Sequence, residues 1–300
     1  MPLDPVFASF TTQLDGLFLD SVPSLVARAV GYVREPLRAA LGLYVVLHIV
    51  DMILGNGSAR DLGWAFVRGV VVAAALQLPN YTEYVSDAFL TRLPAEIAGA
   101  LNGKLIVASA AEQFDILRAG MANLKAQILM QANGAADIGE RLAAHIIDGA
   151  GWCGIAVMWW HWYLPRVLTG LVVVVGPFLI PLWLFEAARG FAMAFAAKLV
   201  SLLALSVGAS VVIASLLATI DRVAAPIGVG QGASVDALLV KLLAVAGMMW
   251  FGAFLMRSLP PILSLNSSVG AAANALVGAS VQALTAPFTA AGRALRGLGR

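Results

Sequence analysis

The sequence predicts an all-α, polytopic helical membrane protein with about five transmembrane helices, N-outside and C-inside, carrying amphipathic extramembrane helices. Three observations lead there. Of 300 residues, 60% are hydrophobic and 12% charged, and the mean hydropathy is +0.87. A soluble domain carries about 25% charged residues, so 19 basic and 17 acidic side chains supply too little polar surface for water. Apolar runs of the ~20 residues needed to cross a bilayer recur along the chain. The C-terminal region is basic and acid-free after Asp236, and basic segments stay in the cytoplasm.

Residues 1–36 read as amphipathic periplasmic helices. Phe7, Phe10, Leu14 and Leu17 fall at helical spacing, and Val22, Val26, Val30 and Val33 form a second stripe around Pro23. Such faces lie on a membrane surface, pack on a neighbouring subunit, or pack within the chain. No basic start followed by a short apolar run is visible, so no cleavable signal peptide is expected.

Residues 37–78 hold the first two transmembrane helices. The first is expected at 38–54, after Pro36 and before Gly55-Asn56-Gly57-Ser58. The second is expected at 62–78, stopped by Pro79-Asn80, with Arg68 able to snorkel to the headgroups.

Residues 79–144 form a periplasmic helical insert. Acids (Glu83, Asp87, Glu96, Glu112, Asp115, Asp137, Glu140) and bases (Arg92, Lys104, Arg118, Lys125, Arg141) interrupt the apolar pattern. Phe89, Leu93, Ile97 and Leu101 make one helical stripe, with Pro94 starting or kinking it. Phe114, Leu117, Met121, Leu124 and Ile128 make another, at the 3/4 spacing of a helix-packing seam.

Residues 145–259 contain a Trp-rich segment and three further spans. Trp152, Trp159, Trp160 and Trp162 place 145–165 at a membrane interface. The spans follow at 166–185, within 191–220, and at 237–259, where Pro260-Pro261 ends the last. Alternatively 145–163 is a span of its own, giving six and both termini on one side. Gly176-Pro177 relaxes or kinks the third span, with a pore gate as the sharper reading. Ser206, Ser210, Ala214 and Ala218 repeat every four residues on one face, where small side chains let helices approach closely in lipid. Gly228 to Gly232 reads as a flexible turn.

Residues 260–300 read as a cytoplasmic basic amphipathic tail. Val277, Val281, Leu284 and Phe288 form its stripe, and Arg293, Arg296 and Arg300 are expected to hold it on the anionic inner leaflet or on an ATPase. Counting five spans back puts the N-terminus outside and Arg60, Arg68, Arg189 and Lys198 inside. Arg28, Arg34 and Arg38 count against that orientation.

Several chemistries have no residues to carry them. There is no phosphate-binding loop, no His-Glu-x-x-His, no Gly-x-Ser-x-Gly and no Ser-x-x-Lys. The single Cys153 excludes an intrachain disulfide framework and a multi-cysteine metal cage. A net charge of +2 does not imply nucleic-acid binding across the whole surface. His48 with Asp51, and His145 with Asp148, share helix faces, as a proton relay or as a local hydrogen-bonded pair. No enzyme activity, cofactor or metal is expected.

Three local patterns carry a resemblance. The first runs from Phe66-Val-Arg-Gly-Val-Val-Val to Leu78, followed by Asn80-Tyr81. The second is Gly176-Pro177-Phe-Leu-Ile-Pro-Leu-Trp-Leu-Phe185, then Arg189 and Phe191. The third is Phe254-Leu-Met-Arg-Ser-Leu-Pro260-Pro-Ile-Leu-Ser-Leu265, ending in Ser-Val-Gly270. Over about 38–275 the chain resembles the TrbL/VirB-type polytopic inner-membrane component of bacterial type IV secretion systems, the sixth protein of the VirB series and its conjugation counterparts. One departure is Phe195, where the pattern has a tryptophan. The resemblance implies an inner-membrane channel or scaffold subunit that supports passage of DNA–protein complexes or effector proteins and pilus assembly. It implies a homo-oligomeric ring, with five copies the first expectation. Implied partners are a minor pilin or stalk subunit, other inner-membrane secretion subunits and assembly ATPases, with transient contact to translocated DNA or protein. The stripes at 7–33 and 89–128 are then expected to pack between subunits as a periplasmic collar. The competing readings are an unrelated small-solute transporter and a membrane scaffold without a pore.

Overall fold

The computed structural model describes residues 4–55, 57–102, 110–132, 134, 137–224 and 234–263. Every regular element among them is helical. Arg293, Arg296 and Arg300, the stripe Val277–Phe288 and the Gly228–Gly232 turn lie outside the described residues.

The chain opens with α1 (Val6–Phe18) and α2 (Val22–Ile53). The span expected to start at 38 instead continues a helix begun at Val22, through Pro36. A proline inside a helix costs about 3 kcal/mol. Against that cost, Val22, Val26, Val30, Val33, Leu37 and Tyr44 keep one buried face in register across it. Gly55 ends α2 with a φ of +75°, open to glycine without strain. A capping box then starts α3 (Ala59–Ala75): Ser58 Oγ accepts the Asp61 N–H, and the Asp61 carboxylate accepts the Ser58 N–H at 2.9 Å.

After α3 the chain bends. Short α4 (Leu78–Tyr81) passes into a π-helical stretch, Thr82–Arg92, and then into α5 (Leu93–Asn102), with Pro94 in its first turn. The two arms meet at 76°. The insert continues with α6 (Ala110–Gln131), and α7 (Ile138–Leu179) leads into a 3₁₀ turn, Ile180–Leu184. Helices α8 (Arg189–Ala224) and α9 (Val235–Leu263) complete the described chain. Helix α9 runs past Leu259 because Pro260 and Pro261 sit in its last turns, where their fixed φ is helical.

Four continuous stretches are long and apolar enough to cross a membrane: Val6–Ile53, Ile138–Leu184, Arg189–Ile220 and Val235–Ile262. The bent pair Ala59–Ala75 and Leu78–Ile97 makes a fifth if it counts as one span. The alternative of two spans within 145–185 fails, because α7 has no turn there. Its 42 residues extend roughly 63 Å, about twice the hydrocarbon thickness. Large apolar side chains stand exposed along these stretches, among them Val46 and Ile53 of α2, Val200 of α8, and Phe251 and Phe254 of α9. Lipid is the solvent that accepts them.

The chain divides into two compact units, one from 1–8, 102–163 and 208–300, the other from 9–101 and 164–207. In the first, Phe114, Leu117, Met121, Leu124 and Ile128 of α6 are buried with Ile155 and Met158 of α7, Ile213 of α8, and Leu242, Val245 and Met249 of α9. Glycines permit the close approach: a Cβ at Gly154 would stand 3.0 Å from Met249 Cβ and 3.2 Å from its backbone. Trp159 and Trp162 are buried too, against Phe7, Phe114 and Tyr163. Two of the four tryptophans expected at a membrane interface therefore pack inward, because residues around Phe7 and α6 cover them. Asp115 accepts the N–H groups of Phe7 and Ala8, both at 2.9 Å, and so caps the first turn of α1. Lys125 pairs with Asp148 at 2.8 Å.

In the second unit, the valine face of α2 packs with Ala65, Val72 and Leu76, with Tyr81, Val173 and Leu184, and with Phe195 and Leu199. Asp15 of α1 pairs with Arg166 of α7 at 3.0 Å.

Leu117 is fully buried while neighbouring Ile116 is 49% exposed. Leu117→Ala is expected to lower stability by about 2–5 kcal/mol and Ile116→Ala by less than about 1 kcal/mol. Unfolding of the purified chain in detergent measures both.

Candidate functional site

The first two of the resembling patterns meet at one place in the second unit. Proline has no backbone N–H, so Pro177 leaves the carbonyl four residues back, that of Val173, without its helical donor. The Tyr81 hydroxyl, from the far side of the bend after α3, donates to that carbonyl. Tyr81 is fully buried. Gly176 makes the room, since a Cβ there would collide with the Tyr81 hydroxyl and the Phe195 ring. Asn80, next in sequence, donates its side-chain N–H to the Ala74 carbonyl at 2.8 Å, satisfying an acceptor in the last turn of α3. Asn80-Tyr81, Gly176-Pro177 and Phe195, far apart in sequence, thus form one junction.

The junction holds no nucleophile beside a base and no acid–base pair. Its chemistry is structural: a hydrogen bond supplied to a buried carbonyl that water does not reach, and room at Gly176 for the Tyr81 hydroxyl and the Phe195 ring. Gly176-Pro177 is expected to relax or kink the third span, and the helix continues through it to Leu179 before tightening into the 3₁₀ turn. Phe195 reaches Gly176 with its apolar ring and is buried, where the resembling pattern has an indole.

Elsewhere the expected residues fall differently. The α6 stripe (Phe114, Leu117, Met121, Leu124, Ile128) is at most 4% exposed within the single chain. It was expected to pack between subunits because an apolar face needs cover, and α7 and α9 already cover it. Val22, Val26, Val30 and Val33 are likewise covered within the chain. Phe89 packs against the second unit's core, and Leu93 and Ile97 are half-buried. On α8 the buried face is Leu202, Leu205, Ala209, Ile213 and Leu216; Ser206, Ser210 and Ala214 sit beside it, and Ala218 is exposed. Pro260 is buried on α9.

The histidine pairs are not assembled as relays. His48 Nδ1 lies 2.9 Å from the Tyr44 carbonyl, and His145 Nδ1 lies 2.8 Å from the Arg141 carbonyl, each within its own helix. Asp148 is committed to Lys125. No group of three or more His, Cys, Asp or Glu side chains is placed to hold a metal among the described residues. Sequence reasoning gave no role to Tyr81, Gly151, Gly154 or Gly252. The spacing Gly151-x-x-Gly154 in an apolar helix was a legible sign of close helix approach. Nothing local to Tyr81 marks it as the donor for residue 173.

Tyr81→Phe is expected to cost about 1 kcal/mol through the lost hydrogen bond. In a Pro177→Ala background, where residue 177 regains its N–H, the same change is expected to cost little. A double-mutant cycle on detergent unfolding reads this coupling, and equal costs in both backgrounds would remove the proline from the account.

No curated protein matches the chain. The family model for the TrbL/VirB6 plasmid conjugal transfer protein matches residues 41–258. That interval takes in the bend after α3, the Tyr81–Val173 bond, Gly176-Pro177 and Phe195, and it covers well over half of the sequence. The chain is a multi-pass membrane protein and belongs to the TrbL/VirB6 plasmid conjugal transfer family.

Proposed function

We propose that this chain is an inner-membrane subunit of a type IV secretion system, acting as channel or scaffold in the transfer of DNA–protein complexes or effector proteins and in pilus assembly. Family membership over residues 41–258 carries the reading. It supports a role within a conjugation or secretion complex over an unrelated solute transporter. The apolar exposed helices support a membrane role.

The assembly we propose is a homo-oligomeric ring, with five copies the count to test first, in contact with a minor pilin or stalk subunit, other inner-membrane subunits and assembly ATPases. Its subunit contacts lie elsewhere than on the α6 stripe, which is spent inside the chain. Leu17 and Phe18 of α1, 71% and 52% exposed, are available apolar side chains near the bundle's N-terminal segment. We also propose the five-span orientation, with 1–36 and 79–144 periplasmic and 260–300 cytoplasmic. In it α3, the first arm of the bent pair, crosses the membrane and the arm after the bend lies in the periplasm.

Two measurements test these proposals. In a donor cell carrying the rest of a secretion locus, deleting this chain should reduce transfer to background, and re-expression should restore it. Unchanged transfer would end the reading. For topology, single cysteines at Ser109, Gly230 and Ala291 in a Cys153→Ser background should be labelled by an impermeant reagent at the first two and protected at the third. A further single cysteine at Asn56, between α2 and α3, should be protected; its labelling together with Ser109 would make the bent pair re-entrant and leave four crossings.

A further inference from the structure

We propose that a crevice between α2 and the bend after α3 binds one anionic phospholipid, with its phosphodiester on Arg34 and Arg38 and an acyl chain along the apolar floor. The crevice has a volume of about 570 Å³, within the range of specific small-molecule sites. Its floor is apolar, with Val30, Gly31, Leu37 and Leu41 of α2 facing Leu76 and Leu78. Arg34 and Arg38 stand one helical turn apart on the same wall, and no acidic side chain lines the crevice.

The charges are available to a ligand. Arg34 has no ion-pair partner among the described residues. Arg38 is 2.7 Å from Glu35, but both side chains are more than half exposed, and an exposed pair of this kind holds its partners weakly. Two guanidinium groups at this spacing suit phosphate oxygens, which arginine binds in a fork. Gln77, also in the lining, adds an amide for an ester or glycerol oxygen.

The position along α2 selects a lipid over other anions. Exposed side chains on this helix change from charged at Arg34, Glu35 and Arg38 to apolar at Leu43, Val46, Leu47 and Val50. That change marks the level of the headgroups. A molecule with a phosphate at one end and hydrocarbon at the other matches the crevice along its length. The inference needs only that the chain sits in a membrane, and it stands or falls apart from the secretion reading.

The test is native mass spectrometry of the full chain in a neutral detergent, with phosphatidylglycerol and phosphatidylcholine added in equal amounts. The wild type should retain one phosphatidylglycerol under activation that strips phosphatidylcholine. Arg34→Gln with Arg38→Gln should abolish that preference, while Arg60→Gln should not. Gly31→Leu should lose the bound lipid with both arginines intact, because a Cβ at Gly31 meets nothing within 4 Å and a larger side chain fills the crevice without a clash. Circular dichroism confirms that each variant remains helical. Equal retention of the two lipids by the wild type overturns the proposal. So does retention at wild-type occupancy by the double variant or by Gly31→Leu, loss in Arg60→Gln, or displacement by inorganic phosphate, which would mark a phosphate site.

Discussion

A backbone carbonyl buried in a protein has no water to turn to, and each one released from a helix must find a donor among the surrounding residues. Pro177 releases one at Val173, and Tyr81 answers it from the bend after α3. The surrounding arrangement follows. Tyr81 reaches Val173 only because residue 176 has no side chain. The ring of Tyr81 is buried only because Val72, Leu76 and the valine face of α2 close over it. The bend between α3 and α4 is in turn held at a defined place, with Asn80 satisfying the Ala74 carbonyl it leaves behind.

Helices α6, α7 and α9 pack through burial of the α6 stripe, which favours association, and through close contact at glycines, which adds to it. Gly154 lets Met249 approach to van der Waals range, and Gly151 and Gly252 leave recesses for Met121 and Met158. Methionine fills such irregular space well because it is unbranched and has several rotatable bonds. Several polar ties satisfy charges or helix ends: Asp115 on the first turn of α1, Lys125 on Asp148, Asp15 on Arg166.

Much of this architecture is legible in the sequence. Composition and the spacing of apolar runs give an all-helical membrane protein, and Gly55 and Ser58 mark the turn between α2 and α3 in so many residues. The boundaries at Pro36 and Pro260 are misread because proline is scored locally, while the buried face of α2 and the terminal position of Pro260 decide the outcome. The α6 stripe is read correctly as a packing seam. Its partner is not legible, since periodicity shows that a face is covered and not by what. The Tyr81 junction is half legible: the resemblance draws attention to Asn80-Tyr81, Gly176-Pro177 and position 195, yet only coordinates show that they touch.

The capping of α1 by Asp115 sets an order on how the chain is made. Synthesis delivers Phe7 and Ala8 first, and more than a hundred residues separate them from the carboxylate that accepts their N–H groups. Throughout that interval α2 and α3 are already emerging, and the start of α1 waits without its cap. Pairings between such distant parts of a chain form late, so the N-terminal segment is settled only after α6 has left the ribosome. A nascent chain paused before residue 115 therefore carries an incomplete first unit, with α1 uncapped.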